Sequence, residues 1–194
     1  MDPSLDELSH VLLREAPLYT WKQLELNKSE PPARPGVYAW YFDKAPGAVQ
    51  LAGCFERDGV YLLYVGISPG REPSRENLRS RIRYHFRGNA EGSTLRLTLG
   101  CLLEDELSTV LRRVGSGRRR TFHLREESLS GWIAEHARVS WVVTDHPKDL
   151  ETRLIDTLCL PLNLDHNKNN AFHRTLSELR ASAKKRALAC PISK

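Results

Sequence analysis

Residues 61–70 read YLLYVGISPG, an apolar strand that runs into Gly66 and ends in a polar Ser-Pro-Gly turn. Val or Ile would serve a buried strand as well as the two phenols Tyr61 and Tyr64 do, so tyrosine at these places asks for a reason. Their odd separation sends them to opposite faces of a regular strand, with Tyr61 assigned to packing and Tyr64 left as the hydroxyl to follow. Gly66 lets backbone pass where any Cβ would intrude. A strand that ends on a hydroxyl and a cleared space reads as the wall of a site.

Working outward, residues 36–42, GVYAWYF, follow the proline-rich EPPARPG and read as the partner strand. Residues 44–59 between them hold three glycines, a proline and mixed charge, as a long hairpin connection would. A third strand is expected at VSWVVT, 139–144. Helices are expected at 5–14 with Ser4 as cap, 75–87 stopped by Gly88, 93–103, 129–136, 149–160 ended by Pro161, and 171–188. Residues 109–124 read as an arginine-rich hairpin, TVLRRV and RRRTFHL around Gly-Ser-Gly.

With 194 residues and 40% apolar composition, the chain supports one domain with a hydrophobic core. Its net charge of +5 fits a polyanion partner, and the clustering of its arginines says more than the sum. Cys54, Cys101, Cys159 and Cys190 form no closely spaced pair, which excludes a zinc module and fits reduced thiols. The start, MDPSLDELSHVLLRE, has no basic segment followed by an apolar run, and no stretch reaches the roughly 20 apolar residues of a membrane helix. A cytoplasmic location without membrane contact is the expectation.

Two helices carry side chains that packing does not explain. In LETRLIDTLCLPLN, Leu150, Leu154, Ile155 and Leu158 share one arc, and Glu151 falls inside it. A carboxylate there needs a metal or an arginine, or else sits in the first turn facing the helix dipole. In the 75–87 helix, Leu78, Ile82 and Phe86 form the buried stripe, with Arg81 and His85 along one border and Arg79, Arg83 and Arg87 along the other. Arg81 beside His85 suits a phosphate, since guanidinium offers a planar fork of donors and imidazole a donor or acceptor. The other three read either as a solvated face or as nucleic-acid contacts.

GVY at 36–38, YVG at 64–66, Arg81 in NLRSRIRYHF, and Glu151 followed twelve residues later by Asn163 resemble, in that order, the GIY-YIG nuclease family. The likeness covers 36–87 and about 139–165. It implies an α+β fold, a small three-stranded sheet flanked by helices, here with an inserted helix and β-hairpin segment and extra terminal helices. The expected layout is a single domain: an extension over 1–35, the core at 36–87 and 139–165, an insertion at 88–138, and a C-terminal helix within 166–194.

The resemblance further implies hydrolysis of nucleic-acid phosphodiesters with one divalent metal, and the expectation is an endonuclease acting on DNA with Mg2+ or Mn2+. Glu151 would hold the metal. Tyr38 would act as general base or position the attacking water, Tyr64 would hydrogen-bond in the site, Arg81 would contact the scissile phosphate and His85 would assist proton transfer. Gly66 and Asn163 would brace the site. Arg118, Arg119 and Arg120 in the hairpin are candidates for backbone contacts, or an edge-protecting charged ribbon. His166, Asn167, Asn169 and Asn170 could line the rim or form turns. A catalytically silent nucleic-acid-binding module and an RNA-directed nuclease are the alternatives.

Overall fold

The computed structural model describes residues 3–70 and 74–193. Its centre is strand β1, Gly36–Phe42, buried along its whole length and antiparallel to β3, Val60–Ser68, on one side and β6, Ala137–Val143, on the other. Among the described residues the sheet has four strands in the order β2-β3-β1-β6, not the expected three. The addition is β2, Glu56–Arg57, a two-residue edge paired to the start of β3 within what reads in sequence as loop.

Alternation along β1 divides the core. Tyr38, Trp40 and Phe42 face one apolar cluster, while Val37, Ala39 and Tyr41 face the other. Helices α3 (Leu78–Arg87), α4 (Thr94–Leu102) and α6 (Glu126–His136) feed the first cluster, through Ile82 and Phe86, Leu95 and Leu99, and Leu129 and Ile133. The C-terminal helix α8, His173–Ala189, adds Ala183 and Ala187. Segment 88–138 and α8 thus share their apolar packing with the sheet. Helix α1, Leu5–His10, and helix α7, Pro147–Thr157, cover the opposite face with Leu8, Leu150, Leu154 and Ile155.

Several boundaries differ from the sequence reading, each for a local reason. Helix α3 begins at Leu78 because Asn77 and Ser80 form a reciprocal cap, leaving 75–77 outside it. Helix α7 starts earlier, with Pro147 in its first turn, and stops at Thr157. Pro161 therefore lies beyond the helix, in a segment docked on β3 through a Leu162 N–H to Leu63 carbonyl bond of 3.1 Å. The arginine hairpin is shorter than expected, pairing only β4, Arg112–Val114, with β5, Arg119–Thr121. Helix α2, Trp21–Leu26, capped by Thr20, and the short α5, Glu104–Leu107, are additional.

Tyr61 packs against the core as expected, but not on the face opposite Tyr64. The β1–β3 register shifts between Trp40 and Tyr41, so Leu63 and Tyr64 join the same cluster, and Tyr61 packs against it too. One bulged residue inverts the parity that separation by three would impose.

Candidate active site

Tyr38 lies opposite Gly66 in the β1–β3 ladder. A Cβ on Gly66 would sit 2.6 Å from the Tyr38 hydroxyl and 2.8 Å from its ring, so glycine is what allows the phenol to lie across β3. The hydroxyl is 2.8 Å from Nε2 of His85, and Arg81 Nε donates to it across 3.4 Å. His85 is fully buried, and its Nδ1 is 2.7 Å from the hydroxyl of Ser93. Ser93 in turn caps α4 by accepting the Arg96 N–H at 3.1 Å.

Because a guanidinium can only donate, the Tyr38 oxygen accepts from Arg81. In the tautomer with its hydrogen on Nδ1, His85 accepts the Tyr38 proton at Nε2 and donates to Ser93. Charge agrees with this order: burial, then Arg81 and Arg96, hold the imidazole well below its ordinary pKa, hence neutral. Burial, assisted by Tyr64, pushes the Tyr38 phenol well above the usual tyrosine value. A neutral relay, Tyr38 to His85 to Ser93, ends beside a cation.

Arg81 is itself fixed at its far end, donating to the Gly92 carbonyl at 2.8 Å and approaching Glu76 at 3.4 Å. Tyr64 lies 3.3 Å, oxygen to oxygen, from the Thr94 hydroxyl in the first turn of α4. Asn163 acts on the backbone: its carbonyl oxygen accepts Val65 N–H and its amide donates to Val65 C=O, both at 2.9 Å. It thereby takes the place of a neighbouring strand where β2 has ended.

Glu151 stands on α7 in the arc of Leu150, Leu154 and Ile155, half-buried. It is the fifth residue of α7, past the first turn, so the dipole reading fits it poorly. No arginine meets it either: among the described residues its carboxylate has no ion pair and no hydrogen bond. Burial and then the charge of Asp165 push its pKa up to about 7.

These groups open onto one cleft of about 940 Å³, lined by Tyr38, Tyr64, Gly66, Arg81, Glu151 and Asn163. His85 lies behind the cleft lining, bonded to Tyr38. Among the rim candidates, His166 lines the cleft, whereas Asn167 is buried and holds the Leu160 and Asn163 carbonyls, and Asn170 bonds Phe172 N–H. Asn169 is exposed.

The candidate nucleic-acid arginines divide. Arg120 lines the cleft, while Arg118 and Arg119 are exposed outside its wall. Arg79, Arg83 and Arg87 lie away from it. Arg79 donates to the Pro31 and Ser29 carbonyls, and Arg83 to those of Leu24, Asn27 and Glu30. Arg87 packs over Trp21 and approaches Glu25. The segment they clamp has carbonyls without strand partners, which these guanidiniums satisfy. The same clamp excludes the solvated-face reading for Arg79 and Arg83.

Sequence reasoning missed Ser93 and Thr94 as contacts of the site, since both read as helix-start residues. It also missed Asp165, Arg180 and Lys184 on the cleft wall. Arg180 and Lys184 stand four apart, at the one-face spacing visible in the α8 sequence; for Asp165 there was no signal beyond a polar turn.

No curated protein and no solved structure matches the chain. A family model described as the GIY-YIG catalytic domain matches residues 36–182, which takes in both tyrosines, Arg81, His85, Glu151 and the whole insertion. Members of that family are generally endonucleases, and this chain belongs to the GIY-YIG family.

Proposed function

We propose that the protein is an endonuclease that hydrolyses DNA phosphodiester bonds in this cleft, with Mg2+ or Mn2+ held by Glu151. The observation that carries the reading is Glu151 itself: a half-buried carboxylate, unpaired among the described residues, sharing a cleft with Arg81 and two phenols. A hard divalent ion fits that position, since it takes oxygen ligands and offsets the burial and Asp165 charge that raise the acid's pKa. A magnesium ion keeps several waters in its shell and needs only one or two protein carboxylates.

The chain's own groups then divide the work. Arg81, fixed by Gly92, directs its remaining donors at the non-bridging oxygens of the scissile phosphate. A water at the Tyr38 hydroxyl attacks phosphorus, giving its proton to the Tyr38 oxygen as the Tyr38 proton passes to His85 Nε2. The displaced sugar oxygen takes a proton from solvent. Imidazolium beside Arg81 and Arg96 is costly in the free protein, and an arriving phosphate next to Arg81 reduces that cost. Ser93 keeps the ring in register, and Tyr64 donates into the cleft. A bound divalent ion would supply Lewis-acid stabilisation of the charge that builds on the phosphoryl oxygens.

The direct test is nicking of supercoiled plasmid with Mg2+, with an RNA of matching length as a second arm. Cutting that EDTA stops and Glu151→Ala abolishes supports the proposal. Equal cutting by both proteins overturns the role of Glu151, RNA cleavage alone overturns the DNA assignment, and absence of all cleavage favours a silent binding module.

A further inference from the structure

The cleft has a wall that the GIY-YIG residues do not build. Its cations come from β5 and from α8: Arg120, Arg180 and Lys184. Several nearby cations are held in ion pairs. On α8, Arg174 pairs with Glu178 and Arg186 with Glu104, and elsewhere Arg96 pairs with Glu126 and Arg153 with Asp6. The three cations on the cleft wall have no carboxylate within ion-pair distance among the described residues. The Arg180 guanidinium makes one long contact, 3.5 Å to the Thr98 hydroxyl. Arg120 is anchored through its backbone, whose N–H donates to Glu91 at 2.7 Å, leaving its side chain for the cleft.

These cations also stand close enough to repel one another. Burial lowers the Lys184 pKa first, and Arg180 and then Arg120 lower it further. Burial lowers that of Arg180 as well. Asp165 and Glu91 stand near enough to favour the charged forms of Arg180 and Lys184, but neither forms an ion pair with them. Three cations gathered on the wall of a cleft without a close ion pair describe an anion site.

Helix α4 supplies a ruler between this site and Arg81. Arg81 is tied to Gly92, just ahead of the helix, and Arg180 to Thr98, in its second turn. From Thr94, its first residue, to Thr98 the helix rises about 6 Å, and Gly92 lies two residues further back. The two guanidiniums are thus anchored at different levels of the cleft wall, as contacts to neighbouring phosphates of one strand require.

We infer that Arg180, Lys184 and Arg120 form a second phosphate subsite, which holds a backbone phosphate of the bound strand next to the one at Arg81. The inference rests on the cleft being a nucleic-acid site. The hairpin of the insertion and the C-terminal helix thus join in gripping the strand, and affinity and orientation come from outside the reacting groups.

The test measures binding of a fluorescein-labelled single-stranded oligonucleotide, with and without a 5′-phosphate, to the full chain in EDTA across a salt series. Arg180→Gln/Lys184→Gln is expected to weaken binding about tenfold near 0.1 M salt and to flatten the log–log salt slope by about 1.4, as for two lost contacts. Arg174→Gln, on the same helix and paired with Glu178, leaves the slope unchanged. If the double variant melts early, Lys184→Gln alone should show about half the change in slope. Loss confined to the 5′-phosphorylated strand reassigns the site to strand ends and overturns the inference, as does an unchanged slope. An unchanged slope in a protein that still cuts with Mg2+ leaves the nuclease proposal standing. Subsite-dependent binding by a protein that cuts nothing removes the nuclease proposal and keeps the subsite.

Discussion

Gly66 faces Tyr38 directly across the β1–β3 ladder, with room for the phenol only because Gly66 has no side chain. The neighbouring backbone is buried on both sides, so the ring cannot step aside cheaply. Gly66→Ala is therefore expected to move the Tyr38 hydroxyl away from His85. Cleavage should fall on the order of 100-fold, as for a catalytic group misplaced by about an ångström. Overpacking should cost about 1–3 kcal/mol of stability. Single-turnover cleavage and thermal melting check both parts; wild-type cleavage by a folded variant would show that the phenol is not needed where it stands.

Glu151 is held at a cost. Its raised folded-state pKa means that the protonated acid is the form favoured by folding, so the site destabilises the fold increasingly as pH rises from the ordinary carboxylate range through about 7. In metal-free buffer, Glu151→Gln should be more stable than the natural chain by about 1–3 kcal/mol at pH 8 and no more stable near pH 4.5. Denaturant melts at the two pH values read this out. A variant less stable at pH 8 would mean that the carboxylate is already compensated.

With Glu151 holding the metal as proposed, the same titration should set the pH dependence of metal use. Below about pH 7 a proton occupies Glu151, so a cation must displace it. The Mg2+ concentration needed for half-maximal cleavage should rise toward tenfold per pH unit below 7 and level off above it. A requirement that does not change between pH 6 and 8 would exclude Glu151 as the ligand.

Ser93 orients His85 and also caps α4. Ser93→Ala should cost about 1 kcal/mol of stability through the lost cap. It should also slow cleavage roughly tenfold and shift its pH profile, because the imidazole loses the partner that fixes its tautomer. Loss of stability with an unchanged pH profile would reduce Ser93 to a cap.

The pattern of strands and of apolar helix faces was legible because each is local: GVYAWYF, YVG and the Leu78/Ile82/Phe86 stripe fix their elements with little outside help. Glu151 was legible for a related reason, as a charge on an apolar arc. What escaped the sequence depends on partners distant in the chain. The bulge that turns Tyr61 and Tyr64 to one side arises from the β1–β3 register, and Ser93 meets His85 only after α3 and α4 have packed. Arg79, Arg83 and Arg87 show the converse. Their spacing is that of a charged face, yet what they touch is the backbone of residues 24–31 and Trp21.

That placement is itself testable. Arg83 donates to three carbonyls, at 2.7, 3.3 and 2.8 Å. Arg83→Ala should destabilise the fold by about 1 kcal/mol through the partly buried Leu24 and Glu30 carbonyls left without this donor. The salt slope of nucleic-acid binding should stay as it was. A flattened slope with unchanged stability would return Arg83 to the binding surface.

The central claim is that Tyr38 and Glu151, 113 positions apart in sequence, serve one hydrolytic centre. The most direct measurement compares the natural chain with Tyr38→Phe and Glu151→Ala on one labelled DNA strand, recording affinity and single-turnover cleavage in Mg2+ for each. Both variants should bind within about threefold of the natural chain and cleave at least about 100-fold more slowly. Cleavage at the natural rate by either variant would contradict the account.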